Sequence, residues 1–140
     1  MRNLIAATFL AGATLLGCAQ SQADSSKAAV ASKSTLSEVT VDQLDQLLAS
    51  HKATAVDANG DSTRKRMGVV PGAILLSDSD STKGLPADKA SALVFYCGNT
   101  ACMASHNAAE KAMTAGYTNV KIMPAGIAGW VQAGKKVQQI

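Results

Sequence analysis

One cysteine stands between a predicted strand and a predicted helix, in the stretch Val94–His106 with the sequence VFYCGNTACMASH. Residues 93–96 are apolar and aromatic, as is typical of a buried strand in a parallel sheet. Cys97 follows directly, and after a short loop the pattern over residues 104–115 predicts a helix that a glycine ends. This order favours an α/β fold with the cysteine at the carboxyl end of a strand.

Ligands of open α/β sheets bind at that edge of the sheet. The backbone N–H groups of a loop that leads into a helix, together with the positive end of the helix dipole, stabilise a thiolate and an anion beside it. Cys97 is therefore a candidate nucleophile for anionic substrates. A buried and inert cysteine at a strand end would give the same pattern, so this stretch alone leaves both interpretations open.

The composition indicates one globular domain without a nucleic-acid partner. The chain has 140 residues, of which 47% are hydrophobic and 16% are charged. The formal charge is +3, and the 13 basic residues form no run with interleaved aromatic residues. We expect a monomer that uses neither a cofactor nor a metal.

The first residues are typical of an export signal. Arg2 precedes an apolar run over residues 4–16, which is too short to span a membrane stably but fits a secretory signal peptide. The run ends in Leu15-Leu16-Gly17-Cys18, which resembles the lipobox of bacterial lipoproteins, where cleavage precedes a cysteine that receives a lipid. We therefore predict a signal peptide over residues 1–17 and lipidation of Cys18.

Ordinary signal cleavage after Ala23 is the alternative, because Ser21 and Ala23 are small residues at the positions that such a cut requires. Either route exports the protein, as a lipoprotein on the periplasmic side of a bacterial membrane or as a soluble periplasmic protein. Residues 18–35 are rich in Ser, Ala, Gln and Lys and are predicted to form a flexible tether. Membrane contact is expected only through the lipid on Cys18.

Residues 36–140 are predicted to form the folded domain. Thr40 and Gln43 have the pattern of a capping box ahead of a helix that reaches about Ser50. Further strands are predicted at Glu38 and Val39 and over residues 53–57, 73–76 and 120–123, and short helical segments over residues 62–67 and near the C-terminus. This alternation predicts a five-stranded, mostly parallel sheet with helices on both faces.

Polar side chains follow one of the predicted strands. Asp57 ends the strand and Asn59 comes two residues later, so both are expected at the sheet edge that holds Cys97. Arg64 and Arg66 come next, and the basic cluster around them is interpreted as a solvated face. They are the only arginines outside the signal peptide, and so the only candidates to supply a guanidinium to the cysteine loop.

Four features over residues 36–140 resemble the rhodanese family. They are Val56-Asp57, the stretch Gly68-Val69-Val70-Pro71-Gly72-Ala73, Tyr96-Cys97, and Gly116-Tyr117-Thr118-Asn119-Val120 followed by Gly126-Ile127-Ala128-Gly129-Trp130. The resemblance implies an α/β fold with a central parallel sheet, and a catalytic Cys97 that carries a sulfane sulfur as a persulfide. It also implies a six-residue active loop from Cys97 to Cys102 and a small sulfur-containing anion or thiol as the partner. The candidate substrate-binding residues are Gly98, Asn99, Thr100, Ala101, Cys102 and Met103.

The chain departs from the family pattern at three positions. Val69 replaces a frequent histidine, and Asn59 stands where an arginine is common. The active loop, which often ends in arginine in members that use thiosulfate, ends here in Cys102. A charge-assisted hydrogen bond is worth about 1.5–3 kcal/mol, so we expect weak use of thiosulfate.

The leading hypothesis is a sulfurtransferase that moves sulfur through Cys97 from thiosulfate or a persulfide to a thiol or to cyanide. Cys102 is a candidate resolving thiol, which would attack Cys97, expel the sulfur and form a disulfide. The candidate supporting residues are Asp57, Asn59, Arg64 and Arg66.

A thiol redox or sensing module with a Cys97–Cys102 disulfide is the main alternative, because disulfides persist outside the cytosol. The spacing of the two cysteines is nevertheless not the C-x-x-C of thioredoxins. A phosphatase would need an arginine where Met103 stands, and a metal site built with His106 would have only three ligands. A catalytically idle domain that binds a partner through its loop also stays open.

Overall fold

In the computed structural model of the chain, residues 36–140 are described. The predicted signal peptide, the lipidation of Cys18, the alternative cleavage after Ala23 and the tether over residues 18–35 lie outside the described residues.

Five strands form one sheet in which every pairing is parallel, in the order β1-β5-β4-β2-β3. The strands are β1 (Ser37–Glu38), β2 (Thr54–Asp57), β3 (Ile74–Leu75), β4 (Leu93–Tyr96) and β5 (Val120–Ile122). The predicted five-stranded parallel sheet is confirmed, and β4, the strand that leads into Cys97, lies at its centre. The strands β2, β3 and β5 are shorter than predicted, whereas β1 has the predicted length and begins one residue earlier.

Four helices connect the strands of the described domain: α1 (Val41–Ala49), α2 (Asp61–Met67), α3 (Ala104–Thr114) and α4 (Gly126–Gln132). The predicted capping box is present, since the Gln43 N–H donates to Thr40 Oγ1 over 3.2 Å and the Thr40 N–H donates to Gln43 Oε1 over 2.8 Å. Within residues 36–140, no helix has the length and apolar character needed to cross a membrane.

Alternation along β4 divides the core into two layers. Phe95 packs with the small residues of α3, including Ala108 and Ala112. Tyr96 faces the opposite layer, which holds Trp130 of α4 together with Leu44 of α1. Helices therefore cover both faces, as predicted. Because Cys97 continues the alternation, its side chain belongs to the layer that α3 covers.

A buried ion pair organises the chain after β2. Arg64 of α2 is only 5% exposed. Its Nε donates to Asp57 Oδ1 over 3.2 Å, and its Nη2 donates to the Leu76 carbonyl over 2.7 Å and to the Asp57 carbonyl over 3.1 Å. The interpretation of the basic cluster as a solvated face is therefore wrong for Arg64, although it holds for the exposed Lys65 and Arg66.

Replacement of Arg64 by leucine is expected to lower the free energy of unfolding by about 3–5 kcal/mol, because it leaves the buried Asp57 carboxylate without its partner. The matched change Arg66→Leu, on the exposed side of the same helix, is expected to stay within about 0.5 kcal/mol of the parent. Urea unfolding followed by circular dichroism measures both. Equal losses in the two variants would contradict the structural role of Arg64.

Candidate active site

The cysteine loop, defined as residues Cys97–Met103, joins β4 to α3. Cys97 comes directly after β4 and is 1% exposed, whereas Cys102 is half-buried near the start of α3. The predicted order of strand, cysteine, loop and helix is confirmed. Both thiols are free.

The N-terminal turn of α4 supports this loop from one side. The Ile127 N–H donates to the Cys97 carbonyl over 2.8 Å, and the Ala128 N–H donates to the Gly98 carbonyl over 3.0 Å. Gly126 has a φ of 62°, and a Cβ atom on it would lie 2.5 Å from the Cys97 carbonyl oxygen and 2.7 Å from the Asn99 nitrogen. Only glycine fits here, which explains the first glycine of the G-I-A-G-W signature.

Asn99 folds the loop back on itself. Its carbonyl accepts the Cys102 N–H over 3.1 Å, and its side-chain Oδ1 accepts the Ala101 N–H over 3.0 Å. Residues 99–101 and Met103 are exposed. The solvent-facing rim of the loop is therefore made of small or uncharged residues, and none of residues 97–103 carries a cationic side chain.

The Cys97 sulfur lies in a buried setting that favours the neutral thiol. Its Sγ donates to the Cys102 carbonyl over 3.0 Å and lies 3.3 Å from Ser105 Oγ. Burial raises the pKa of Cys97, the contact with the Cys102 side chain raises it further, and the hydroxyl and N–H of Ser105 oppose this rise. The first turn of α3 thus supplies the groups that would stabilise a Cys97 thiolate.

The Cys102 sulfur has the opposite tendency. Burial alone would raise its pKa, but the Cys97 thiol as a donor, together with the backbone N–H groups of Gly98 and Ala104, makes the pKa of Cys102 lower than that of an ordinary thiol. Of the two thiols, Cys102 is therefore the one that ionises at the lower pH.

Of the other predicted site residues, Asn59 is placed at the cysteine loop, whereas Asp57 and Arg64 pair with each other and Arg66 is exposed. Asn59 lies beside the loop, since its Oδ1 is 3.6 Å from where a Cβ atom on Gly98 would be, and its Nδ2 is buried without a hydrogen-bond partner among the described residues. Asp57 is fully buried, and its Oδ1 accepts hydrogen bonds from Arg64 and from the Asn59 N–H. The Arg64 guanidinium is engaged by Asp57 and Leu76, and Arg66 is exposed on α2.

Ser105 was not expected at the site. It is buried in the first turn of α3, and its hydroxyl contacts the Cys97 sulfur. A serine among small helical residues gives no sequence signal of such a role. Its position eight residues after Cys97 indicates a contact with the sulfur only once the loop geometry is known. Within residues 36–140, no three or more His, Cys, Asp or Glu side chains group in a way that could hold a metal ion.

The alanine variant of Gly126 is expected to displace the cysteine loop. Gly134→Ala is a matched control, because Gly134 has a similar φ of 72° but open space around its Cβ position. The control is expected to lose about 1–2 kcal/mol of stability from the left-handed backbone alone. Gly126→Ala is expected to lose about 1–3 kcal/mol more, from the forced contact with the loop. Thermal unfolding compares the two, and equal losses would contradict the packing of α4 on the loop.

The pH dependence of alkylation is expected to distinguish the two thiols. Iodoacetamide at neutral pH should modify Cys102 before Cys97, and on lowering the pH from about 9 the rate at Cys97 should fall first, because a raised pKa means earlier protonation. Cys102→Ser removes a contact that raises the pKa of Cys97, so it should speed alkylation of Cys97 at neutral pH. Ser105→Ala should slow that alkylation about tenfold, as expected for a lost hydrogen bond to a charged group.

Peptide mapping by mass spectrometry measures these rates. Faster modification of Cys97 than of Cys102 in the parent protein at neutral pH would contradict the raised pKa of Cys97 and the lowered pKa of Cys102.

A family model described as Rhodanese-like domain matches residues 40–133. Among solved structures, the chain is similar to the BH2092 protein from Bacillus halodurans, with 24% identity and a TM-score of 0.62 over 74% of this chain and 77% of that one. It is also similar to a protein of unknown function from Rhodopseudomonas palustris described as a possible tyrosine phosphatase, with 21% identity and a TM-score of 0.60 over 74% and 85% of the two chains.

A third similar structure is SseA from Escherichia coli, described as having the rhodanese fold of 3-mercaptopyruvate sulfotransferases. The identity is 18% and the TM-score 0.62, over 76% of this chain and 51% of SseA, so the chain spans about half the length of that protein. At these identities the three likenesses show the fold alone. No curated protein is significantly similar to the chain in sequence.

Proposed function

The chain belongs to the rhodanese-like domain family, and on that basis we propose that it is a sulfurtransferase that carries a sulfane sulfur as a persulfide on Cys97. One observation carries the proposal. Cys97 lies at the carboxyl end of the central strand, and the hydroxyl and N–H of Ser105 face its sulfur from the first turn of α3. These groups are suited to stabilise negative charge on that sulfur.

Loading begins when Cys97 loses its proton and attacks the outer sulfur of the donor. A bond forms between Cys97 Sγ and that sulfur, and the donor leaves as sulfite or as a thiol. The proton leaves to solvent, and the hydroxyl and N–H of Ser105 stabilise the Cys97 thiolate that remains. The loaded sulfur then passes to a thiol or to cyanide, which regenerates Cys97.

The uncharged loop favours donors of low charge. Thiosulfate is a dianion, and the loop offers it no cationic side chain, because Arg64 is paired with Asp57 inside the domain. A missing charge-assisted hydrogen bond weakens such binding by about 1.5–3 kcal/mol, or about ten- to a hundredfold. A small persulfide, which carries less charge at its sulfur end, is the better matched donor.

Phosphatase chemistry is not supported by the loop. Phosphoryl oxygens require a bidentate cation such as arginine. The position six residues after Cys97 is occupied by Met103, which is 57% exposed. The description of one structural neighbour as a possible tyrosine phosphatase therefore does not extend to the residues of this loop.

A thiol redox module is the second candidate, favoured by the contact between the Cys97 and Cys102 side chains. In that function the two thiols would be oxidised to a disulfide by an electron acceptor, and no sulfur atom would be transferred. The two functions differ in whether the protein ever gains the mass of a sulfur atom.

Intact mass spectrometry after incubation with a donor tests the proposal. Cys102→Ser is expected to gain about 32 Da, one sulfur atom, from glutathione persulfide and more slowly from thiosulfate. Cys97→Ser should gain nothing. If Cys102→Ser gains no mass from either donor, the sulfurtransferase assignment is contradicted. A gain in Cys97→Ser that Cys102→Ser lacks would move the carrier to Cys102.

A further inference from the structure

We propose that Cys102 discharges the Cys97 persulfide, so that the protein releases the transferred sulfur as hydrosulfide and is left with a Cys97–Cys102 disulfide that a dithiol must reduce. This inference rests on the proposed function and deepens it. It assigns a product, hydrosulfide, and a class of second substrate, a reducing dithiol.

The first support is the contact between the two cysteines. The Asn99 carbonyl accepts the Cys102 N–H over 3.1 Å, which closes a tight turn and brings Cys102 back toward the start of the loop. Cys97 Sγ lies 3.0 Å from the Cys102 carbonyl oxygen. The folded loop therefore already holds Cys102 against the sulfur that it would attack, and little chain entropy remains to be lost on closing the disulfide.

The second support is the distribution of donors around the two sulfurs. The backbone N–H groups of Gly98 and Ala104 face the Cys102 sulfur and lower the pKa of its thiol. A resolving cysteine must attack as a thiolate. These N–H groups stay in place when Cys97 is loaded, and they stabilise the thiolate form of Cys102.

The third support is the difference in exposure. Cys97 is buried, whereas Cys102 is half-buried and lies next to the exposed rim of the loop. An external acceptor thiol would have to reach a sulfur that the loop encloses. Cys102 is already inside that enclosure, and the resulting disulfide would present its Cys102 side to a reductant from solvent.

The step is balanced without an external oxidant. The Cys102 thiolate attacks Cys97 Sγ, the inner sulfur of the persulfide, and a bond forms between the two Sγ atoms. The bond from Cys97 Sγ to the outer sulfur breaks, and its electron pair leaves with the outer sulfur as hydrosulfide, which keeps the persulfide proton. The sulfane sulfur is thereby reduced, and the two cysteine sulfurs are oxidised to the disulfide. A dithiol then reduces the disulfide and becomes a cyclic disulfide itself.

A single-turnover experiment on the purified, reduced protein tests the inference. One equivalent of glutathione persulfide is added without further thiol, and both the intact mass and the released hydrosulfide are measured. The parent protein is expected to release one equivalent of hydrosulfide and to become about 2 Da lighter than its reduced form. Cys102→Ser should instead keep the added sulfur, about 32 Da, and release none.

Ser62→Ala is the control, because Ser62 is exposed on α2 and lies outside the cysteine loop. It should behave as the parent does. Dithiothreitol should return the oxidised parent protein to its reduced mass and permit a second round of release.

The possible results distinguish failure of the discharge step from failure of the proposed sulfurtransferase function. If the parent protein and Cys102→Ser both keep the sulfur, or both release it, Cys102 does not discharge Cys97, although the sulfurtransferase assignment stands. If Cys102→Ser takes up no sulfur, the proposed function itself fails and the inference fails with it.

Discussion

The hydrogen bonds from the N-terminal turn of α4 to the cysteine loop are the constraint on which the site depends. The N–H groups of Ile127 and Ala128 engage the carbonyls of Cys97 and Gly98. These carbonyls therefore point toward α4. The approach is close because Gly126 lacks a Cβ atom, so a single glycine near the C-terminus fixes the loop that follows the central strand. The N–H groups of Gly98, Ala104 and Ser105 face the two sulfurs.

The buried ion pair of Asp57 and Arg64 stabilises the fold and leaves no cation for the cysteine loop. Asp57 ends β2 at the edge that holds Cys97, yet its carboxylate is fully buried and paired with Arg64, whose guanidinium also satisfies two backbone carbonyls. A buried carboxylate without that partner would be costly, which makes Arg64 unavailable for an anion in the loop. The network also carries Asn59, whose N–H donates to Asp57 and whose side chain reaches Gly98. The ion pair thus positions a neutral amide, not a cation, beside the cysteine loop.

Short-range patterns predicted more of this protein than long-range ones. The capping box of Thr40 and Gln43, and the order of strand, cysteine and helix, depend on residues within a few positions of one another, and the structure confirms them. The burial of Arg64 depends on a carboxylate seven residues earlier and a carbonyl twelve residues later, which no helical period indicates.

In the candidate site, too, short-range spacing could be predicted from the sequence and the three-dimensional geometry could not. Cys97 and Cys102 could be placed in one loop by spacing alone. Which of the two thiols ionises more readily depends on where the N–H groups of the loop and of α3 point, and this requires coordinates. The result bears on donor choice, because the N–H groups of Gly98 and Ala104 that face Cys102 are backbone donors that an incoming anion would also use. None of residues 97–103 carries a cationic side chain that could add to them. The loop therefore opposes the dianion thiosulfate more strongly than it opposes a donor with a single charge.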